Sequence, residues 1–174
     1  AGADVHFKKE QNEWVTMKCG NARFKLAGTS REQFPEIPSF KSTPLKLPAE
    51  TFAQFIQNTA FAITNEQSRF TLSGAKFIIA DGVAKMVTTD GHRLSKMEAT
   101  VNGSSAQATM LIPLKAITEL RRLASEAKAE KDQPAPVVAI TQSGPNAFFN
   151  IAGMQFSVKL VDAQFPPYQQ VIPA

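Results

Sequence analysis

The sequence predicts an α+β chain in which short antiparallel meanders alternate with two amphipathic helices. Three observations carry that prediction. Two Asp-Gly pairs, Asp81-Gly82 and Asp90-Gly91, are flanked by β-branched and apolar residues. This is the strongest local hairpin signal, because a type I′ turn needs two residues that tolerate positive φ. Pro48 and Pro113 each stand just before an apolar stripe with helical spacing, and proline suits the first turn of a helix. From Ser42 onward the order strand, helix, three strands occurs twice, an internal repeat of one supersecondary unit.

Taken in order, Val5–Lys9, Trp14–Lys18 and Ala22–Leu26 alternate apolar and polar residues, with Phe24 and Leu26 on one face. They form a first meander with turns at Glu10–Glu13 and Cys19-Gly20-Asn21. Trp14 reads as a core aromatic, and His6 as structural, having no ligand partner at suitable spacing. Gly28 to Pro44 carries Pro35, Pro38 and Pro44, which fix φ and remove donors, so it reads as an extended connector and a domain boundary.

Pro48 opens the first helix, with Glu50 at the positive end of its dipole. Phe52, Phe55, Ile56 and Ala60 form its apolar stripe, and Gln54, Gln57 and Asn58 lie opposite. Lys76–Ala80, Val83–Thr89 and His92–Met97 make the central meander through two type I′ turns. Thr109–Ile112 is a short strand. Pro113 starts the second helix, whose stripe is Leu114, Ile117, Leu120 and Ala124, with Lys115, Glu119, Arg122 and Lys128 on its other face. A loop with Pro134 and Pro136 ends it. Val137–Thr141, Ala147–Ile151 and Met154–Leu160 close the fold. A longer echo links Phe24-Lys25-Leu26 before Gln33-Phe34-Pro35 with Val158-Lys159-Leu160 before Gln164-Phe165-Pro166; Phe34 and Phe165 stand 131 residues apart. That spacing suits tandem domains of which only the tail of the first is present.

Bulk properties narrow the function classes. Of 174 residues, 43% are hydrophobic and 20% charged, enough to bury a sizeable core. A net charge of +4, without a concentrated run of Lys and Arg, permits contact with a polyanion without demanding it. The single Cys19 allows no internal disulfide and makes a reduced, cytoplasmic setting the default. No apolar run approaches the roughly 18 residues that span a bilayer. The Ala1-Gly2-Ala3-Asp4 start is not a signal peptide, and the missing Met suggests a trimmed or internal fragment. With two histidines far apart there is no metal-ligand spacing, and neither a phosphate loop nor a nucleophile elbow occurs. Asp90 and His92 could form a base and its orienter, but nothing in a hairpin brings a Ser or Cys to them. No cofactor and no catalytic residues are expected. By spacing alone, Thr89–Leu94 reads as an ordinary hairpin corner with mixed surface residues.

The string Thr89-Asp90-Gly91-His92-Arg93-Leu94, with Arg69-Phe70-Thr71-Leu72-Ser73-Gly74 before it and Lys159-Leu160-Val161-Asp162 and Phe165-Pro166-Pro167-Tyr168 after it, closely resembles the bacterial DNA sliding clamps. These are the beta subunits of DNA polymerase III. The resemblance implies a DNA-clamp fold, with two strand-helix-three-strand units per domain and the helices on one face of antiparallel sheets. Residues 1–41 would be the remnant of a first domain plus linker, 42–162 a complete middle domain, and 163–174 a linker toward an absent third domain.

It further implies a non-catalytic processivity factor that encircles duplex DNA without reading sequence. The full-length family forms a two-subunit ring; this fragment would be a monomer. Implied partners are duplex DNA, the polymerase core, the clamp loader, and other polymerases and repair proteins that dock through a short Gln-Leu-Ser/Asp-Leu-Phe-like motif. No membrane contact is implied. The family's peptide pocket carries over onto Arg69, Leu72, Thr89, Gly91, His92, Arg93, Leu94, Pro166 and Val171. Gln169 and Gln170 depart from the family's usual basic pair. Gln54, Lys115 and Arg122 are the implied DNA-facing positions. A standalone peptide-binding module without a ring, or an accessory domain of a β-rich enzyme, are the other classes that fit these residues.

Overall fold

Leu45–Pro48 (β4) alternates buried leucines with exposed neighbours, and its last residue, Pro48, caps an α-helix over Ala49–Thr59 (α1). Pro113, the last residue of Ala108–Pro113 (β8), likewise caps Leu114–Glu126 (α2). Both prolines therefore lie one residue outside their helices, in extended geometry at φ −54° and −65°. The computed structural model describes residues 4–34, 44–101, 107–127 and 134–172. Pro35 and Pro38 of the expected connector, and Lys128, lie outside these residues.

The chain divides into two compact units, Ala1–Pro38 and Ser39–Ala174, against an expected boundary after residue 41. In the second unit the repeat is realised as two interleaved sheets. Gly74–Ala80 (β5), Val83–Thr89 (β6) and Leu94–Thr100 (β7) form one meander, closed at its first strand by β8. Val137–Ser143 (β9), Asn146–Ile151 (β10) and Met154–Lys159 (β11) form the other, closed by β4. Each half thus donates its leading strand to the other half's meander, and all pairings are antiparallel.

The two helices pack on each other and on the sheets, burying Phe52, Phe55, Ile56, Ile117 and Leu120 to 1% exposure or less. Phe77 of β5 receives the edges of both Phe52 and Phe55, with centroids 6.0 Å apart in each case. Such edge-on pairs add about 0.5–1.5 kcal/mol beyond area burial. A second, smaller cluster forms on the opposite face of the β5–β8 sheet. There Val87 and Leu111, both paired with Lys76, meet Phe165 and Tyr168 of the C-terminal segment. Phe165 and Tyr168, within the expected linker of residues 163–174, thus lie as a strap on the sheet, and just before them the Val161 N–H donates to the Leu111 carbonyl at 2.9 Å.

The first Asp-Gly pair makes the expected turn, with φ +51° at Asp81 and +73° at Gly82. The second does not. Thr89 pairs with Leu94, so four residues, Asp90–Arg93, span the corner, and β7 begins at Leu94 rather than His92. Gly91 has the only positive φ of the four.

The first unit contains Val5–Lys9 (β1), Trp14–Cys19 (β2) and Ala22–Ala27 (β3) as one sheet. The register puts Phe7, Met17 and Phe24 in one row of its apolar face and Lys8, Thr16 and Lys25 in a row of its polar face. Trp14 corrects the sequence reading. It shares the polar face with Thr16 and Lys18, is 38% exposed, and carries the Lys25 ammonium 5.0 Å from its ring centroid.

Candidate functional site

Asp90 explains the shape of the β6–β7 corner. Short acidic side chains readily bond the main chain two or three residues on. One oxygen of its carboxylate accepts the N–H groups of His92 and Arg93, each at 3.0 Å, and the other accepts Nε of Arg93 at 3.0 Å. These contacts, first the N–H of His92 and then that of Arg93, lower the Asp90 pKa from 3.8 to about 2. The Thr89 hydroxyl adds a second tie, donating to the Arg93 carbonyl at 2.7 Å and accepting the Gly91 N–H at 3.1 Å. Of the two amides that would have continued the ladder, that of Asp90 still reaches the Arg93 carbonyl at 3.4 Å, while that of Arg93 is diverted to the Asp90 carboxylate. Asp90 is likewise committed to main chain and guanidinium, which leaves it no part as an orienter of the His92 ring.

Two arginines fix this corner to its surroundings. Arg69 lies in the 3-10 turn Gln67–Leu72 with φ −110° and ψ 49°. It donates to the Asp90 carbonyl at 2.9 Å and pairs with Glu66. Arg93 donates to the Phe61 carbonyl at 2.7 Å, its guanidinium 5.5 Å from the Phe61 ring centroid. Phe61 follows α1, and Ser95 bonds the Asn58 carbonyl nearby. The corner is thus held by one side chain from outside its sheet, Arg69, and by its own Arg93 reaching the backbone after α1.

Between this corner and the strap lies a cavity of about 470 Å³, lined by Leu72, Thr89, Gly91, His92, Arg93, Leu94, Pro166 and Val171, with Pro167 and Tyr168. Eight of the nine pocket positions named from the sequence meet here. Arg69 does not line it but supports the loop that does. Pro167 and Tyr168 were missed. Tyr168 is the chain's single tyrosine, and the 3-10 turn Tyr168–Val171 places it one turn before Val171. That spacing was a usable signal. Val171 is 70% exposed at the rim and Tyr168 is buried at the base. Gln169 and Gln170 are exposed.

Of the other named positions, Gln54 and Lys115 are exposed on α1 and α2. Arg122 is also exposed, but its guanidinium is held by Glu119 and by Glu126 at 2.7 Å, and these partners raise its pKa. Its charge is therefore largely matched within its own helix. Among the described residues no group of three or more His, Cys, Asp or Glu could hold a metal ion. No helix among them is long and apolar enough to cross a membrane.

A family profile described as "DNA polymerase III beta subunit, central domain" matches residues 46–167. A beta sliding clamp of Chlamydia pneumoniae is 34% identical over 126 residues, covering 71% of this chain and 34% of that protein. One from Haemophilus influenzae is 30% identical over 164 residues, covering 94% and 43%. The structure of a Bartonella birtlesii sliding clamp bound to griselimycin superposes with a TM-score of 0.79 at 30% identity, covering 99% of this chain and 46% of that one. The chain thus spans between a third and a half of the length of these relatives.

Proposed function

The chain belongs to the DNA polymerase III beta-subunit family, and on that premise we propose that it works as part of a DNA polymerase processivity clamp. In this reading residues 42–162 are a middle clamp domain, 1–41 the end of a first domain and its linker, and 163–174 the lead into a third. The assembled protein encircles duplex DNA as a homodimeric ring, reads no sequence, performs no catalysis, and works in the cytoplasm. Gln54 and Lys115 face the duplex. Arg122 does so only with its charge already balanced by Glu119 and Glu126, so its pull on phosphate is weak.

The observation that carries the reading is the cavity between the β6–β7 corner and the strap. Its apolar walls, Leu72, Leu94, Pro166, Tyr168 and Val171, suit the Leu and Phe anchors of an extended peptide. His92 and Arg93 supply polar groups at the rim, while the buried Thr89 shapes the corner through its hydroxyl. Gly91 presents bare backbone, so a peptide main chain can approach closely. Polymerase core, clamp loader and repair proteins dock here through a Gln-Leu-Ser/Asp-Leu-Phe-like segment, and the exchange of partners on one pocket is what a shared tether requires. A griselimycin-bound relative is in keeping with a ligand-binding clamp surface.

The experiment is an NMR titration with a Gln-Leu-Ser-Leu-Phe peptide. Amide shifts centred on residues 72, 89–94 and 166–171 are expected. Shifts centred on the Gln54 and Lys115 helix faces, or none at millimolar peptide, would overturn the pocket.

A further inference from the structure

The polar face of the β1–β3 sheet is rich in bases. Cross-strand register aligns His6, Lys18 and Arg23 in one row and Lys8, Thr16 and Lys25 in the next. All five basic residues are exposed. Rows stand about 6.8 Å apart and neighbours within a row about 4.8 Å, so Lys8, Lys18, Arg23 and Lys25 share a small, flat patch. No ion pair engages these four among the described residues; Lys25 rests on Trp14, and one carboxylate, that of Glu10, reaches the Lys8–Thr16–Lys25 row, where it accepts from Thr16 at 3.0 Å and leaves the Lys18–Arg23 row without an acidic neighbour.

Two observations set this patch apart. On the β5–β8 sheet, by contrast, Lys85 and Lys96 both pair with Glu98. Lys18 and Arg23 face each other directly across β2 and β3, an arrangement that costs stability. Folding alone disfavours it.

We propose that this face is a docking surface for the phosphate backbone of duplex DNA, separate from the helix positions named above. The choice of duplex follows from the patch's make-up: the Trp14 ring is already covered by Lys25 and nothing else on the face offers a stacking platform, which single strands use. Contacts of this kind position DNA without reading it.

The test is fluorescence anisotropy of a labelled random-sequence duplex against the chain between 50 and 200 mM salt. Four phosphate contacts give a log–log slope near −3.6, about a hundredfold loss over that range. Lys18→Gln/Arg23→Gln should cut the slope by about two while raising the melting temperature, since it relieves the facing charges. A merely structural role would not move the two readouts in opposite senses. Lys46→Gln/Lys159→Gln, the same charge change elsewhere, should bind like the parent. Equal weakening by both pairs, an unchanged slope in the first, or tighter binding of a single strand than of the duplex would overturn the proposal. None of these outcomes touches the peptide titration, so the two readings fail separately.

Discussion

Arg69 Nη1 donates to the carbonyl of Asp90 at 2.9 Å while standing 3.2 Å from where a β-carbon on Gly91 would sit. The corner of the candidate pocket is thus fixed by an arginine that presses against the one residue there whose φ, at +91°, is natural only for glycine.

Gly91→Val is accordingly expected to destabilise the chain by at least about 1–2 kcal/mol from the left-handed backbone, and to displace Arg69 as well. A chain of this size loses roughly 2–4 °C of melting temperature per kcal/mol. Calorimetry checks the first effect. Loss of the chemical-shift signature of the Asp90–Arg93 amides checks the second. A variant that melts like the parent would refute the strain.

Asp90 gives a pH signature. Its carboxyl falls from 3.8 to about 2 on folding, chiefly through the His92 and Arg93 amides. A depressed folded pKa means the contribution is fully present above the unfolded value and is lost as pH drops from about 4 toward 2. Asp90→Asn should therefore be less stable than the parent at neutral pH, and the gap should close across that window. Denaturant melts of both proteins from pH 7 to pH 2 measure it; a gap that is constant with pH would show that the charge does not matter.

Much of this was legible in the sequence, for identifiable reasons. Pro48 and Pro113 mark the starts of both helices, and the stripes Phe52, Phe55, Ile56 and Ile117, Leu120, Ala124 are the buried faces. Local chemistry misled at Asp90-Gly91: the dipeptide is equally good at a two-residue turn and at an Asp-capped longer loop, and it is Thr89 and Arg93, bonding around it, that select the latter. Trp14 failed for a different reason. Alternation fixes which residues share a face, but in a sheet with Lys8, Lys18 and Lys25 beside it the tryptophan sits with the cations, not the core. The strap was legible only through the resemblance, which set Pro166 and Val171 at the pocket; its anchoring was not, because Phe165 and Tyr168 are buried by Val87 and Leu111, which lie more than fifty residues away in sequence.

That strap yields a third prediction. Tyr168 is 7% exposed, meets Phe165 edge-on, and holds Lys76 5.7 Å from its ring centroid. Tyr168→Ala should cost about 3 kcal/mol locally and release residues 163–171 without melting the main core. Hydrogen exchange should quicken at the Val161 amide, which bonds Leu111, while amides of β5 and β6 keep their protection. Uniform acceleration through the sheets would show that the strap and core unfold together.

The last prediction sets wall against rim in the candidate pocket. Leu94 contributes apolar area to the cavity and belongs to the fringe of the Val87, Leu111, Phe165 and Tyr168 cluster. His92 stands at the exposed tip of the corner, held through its backbone N–H by Asp90. Burying a leucine or phenylalanine anchor is worth about 1.5–3 kcal/mol, whereas a rim contact in reach of water contributes a net of about 0.5–1.5 kcal/mol. Since 1.4 kcal/mol is a factor of ten, Leu94→Ala should raise the dissociation constant of a Gln-Leu-Ser-Leu-Phe peptide about tenfold. His92→Ala should raise it less. Peptide titrations of the parent and both variants decide the order, with amide shifts outside residues 89–94 confirming that each variant keeps its fold. A larger loss from His92→Ala would mean that the peptide is held by polar contacts at the tip, and that the apolar wall only shapes the opening.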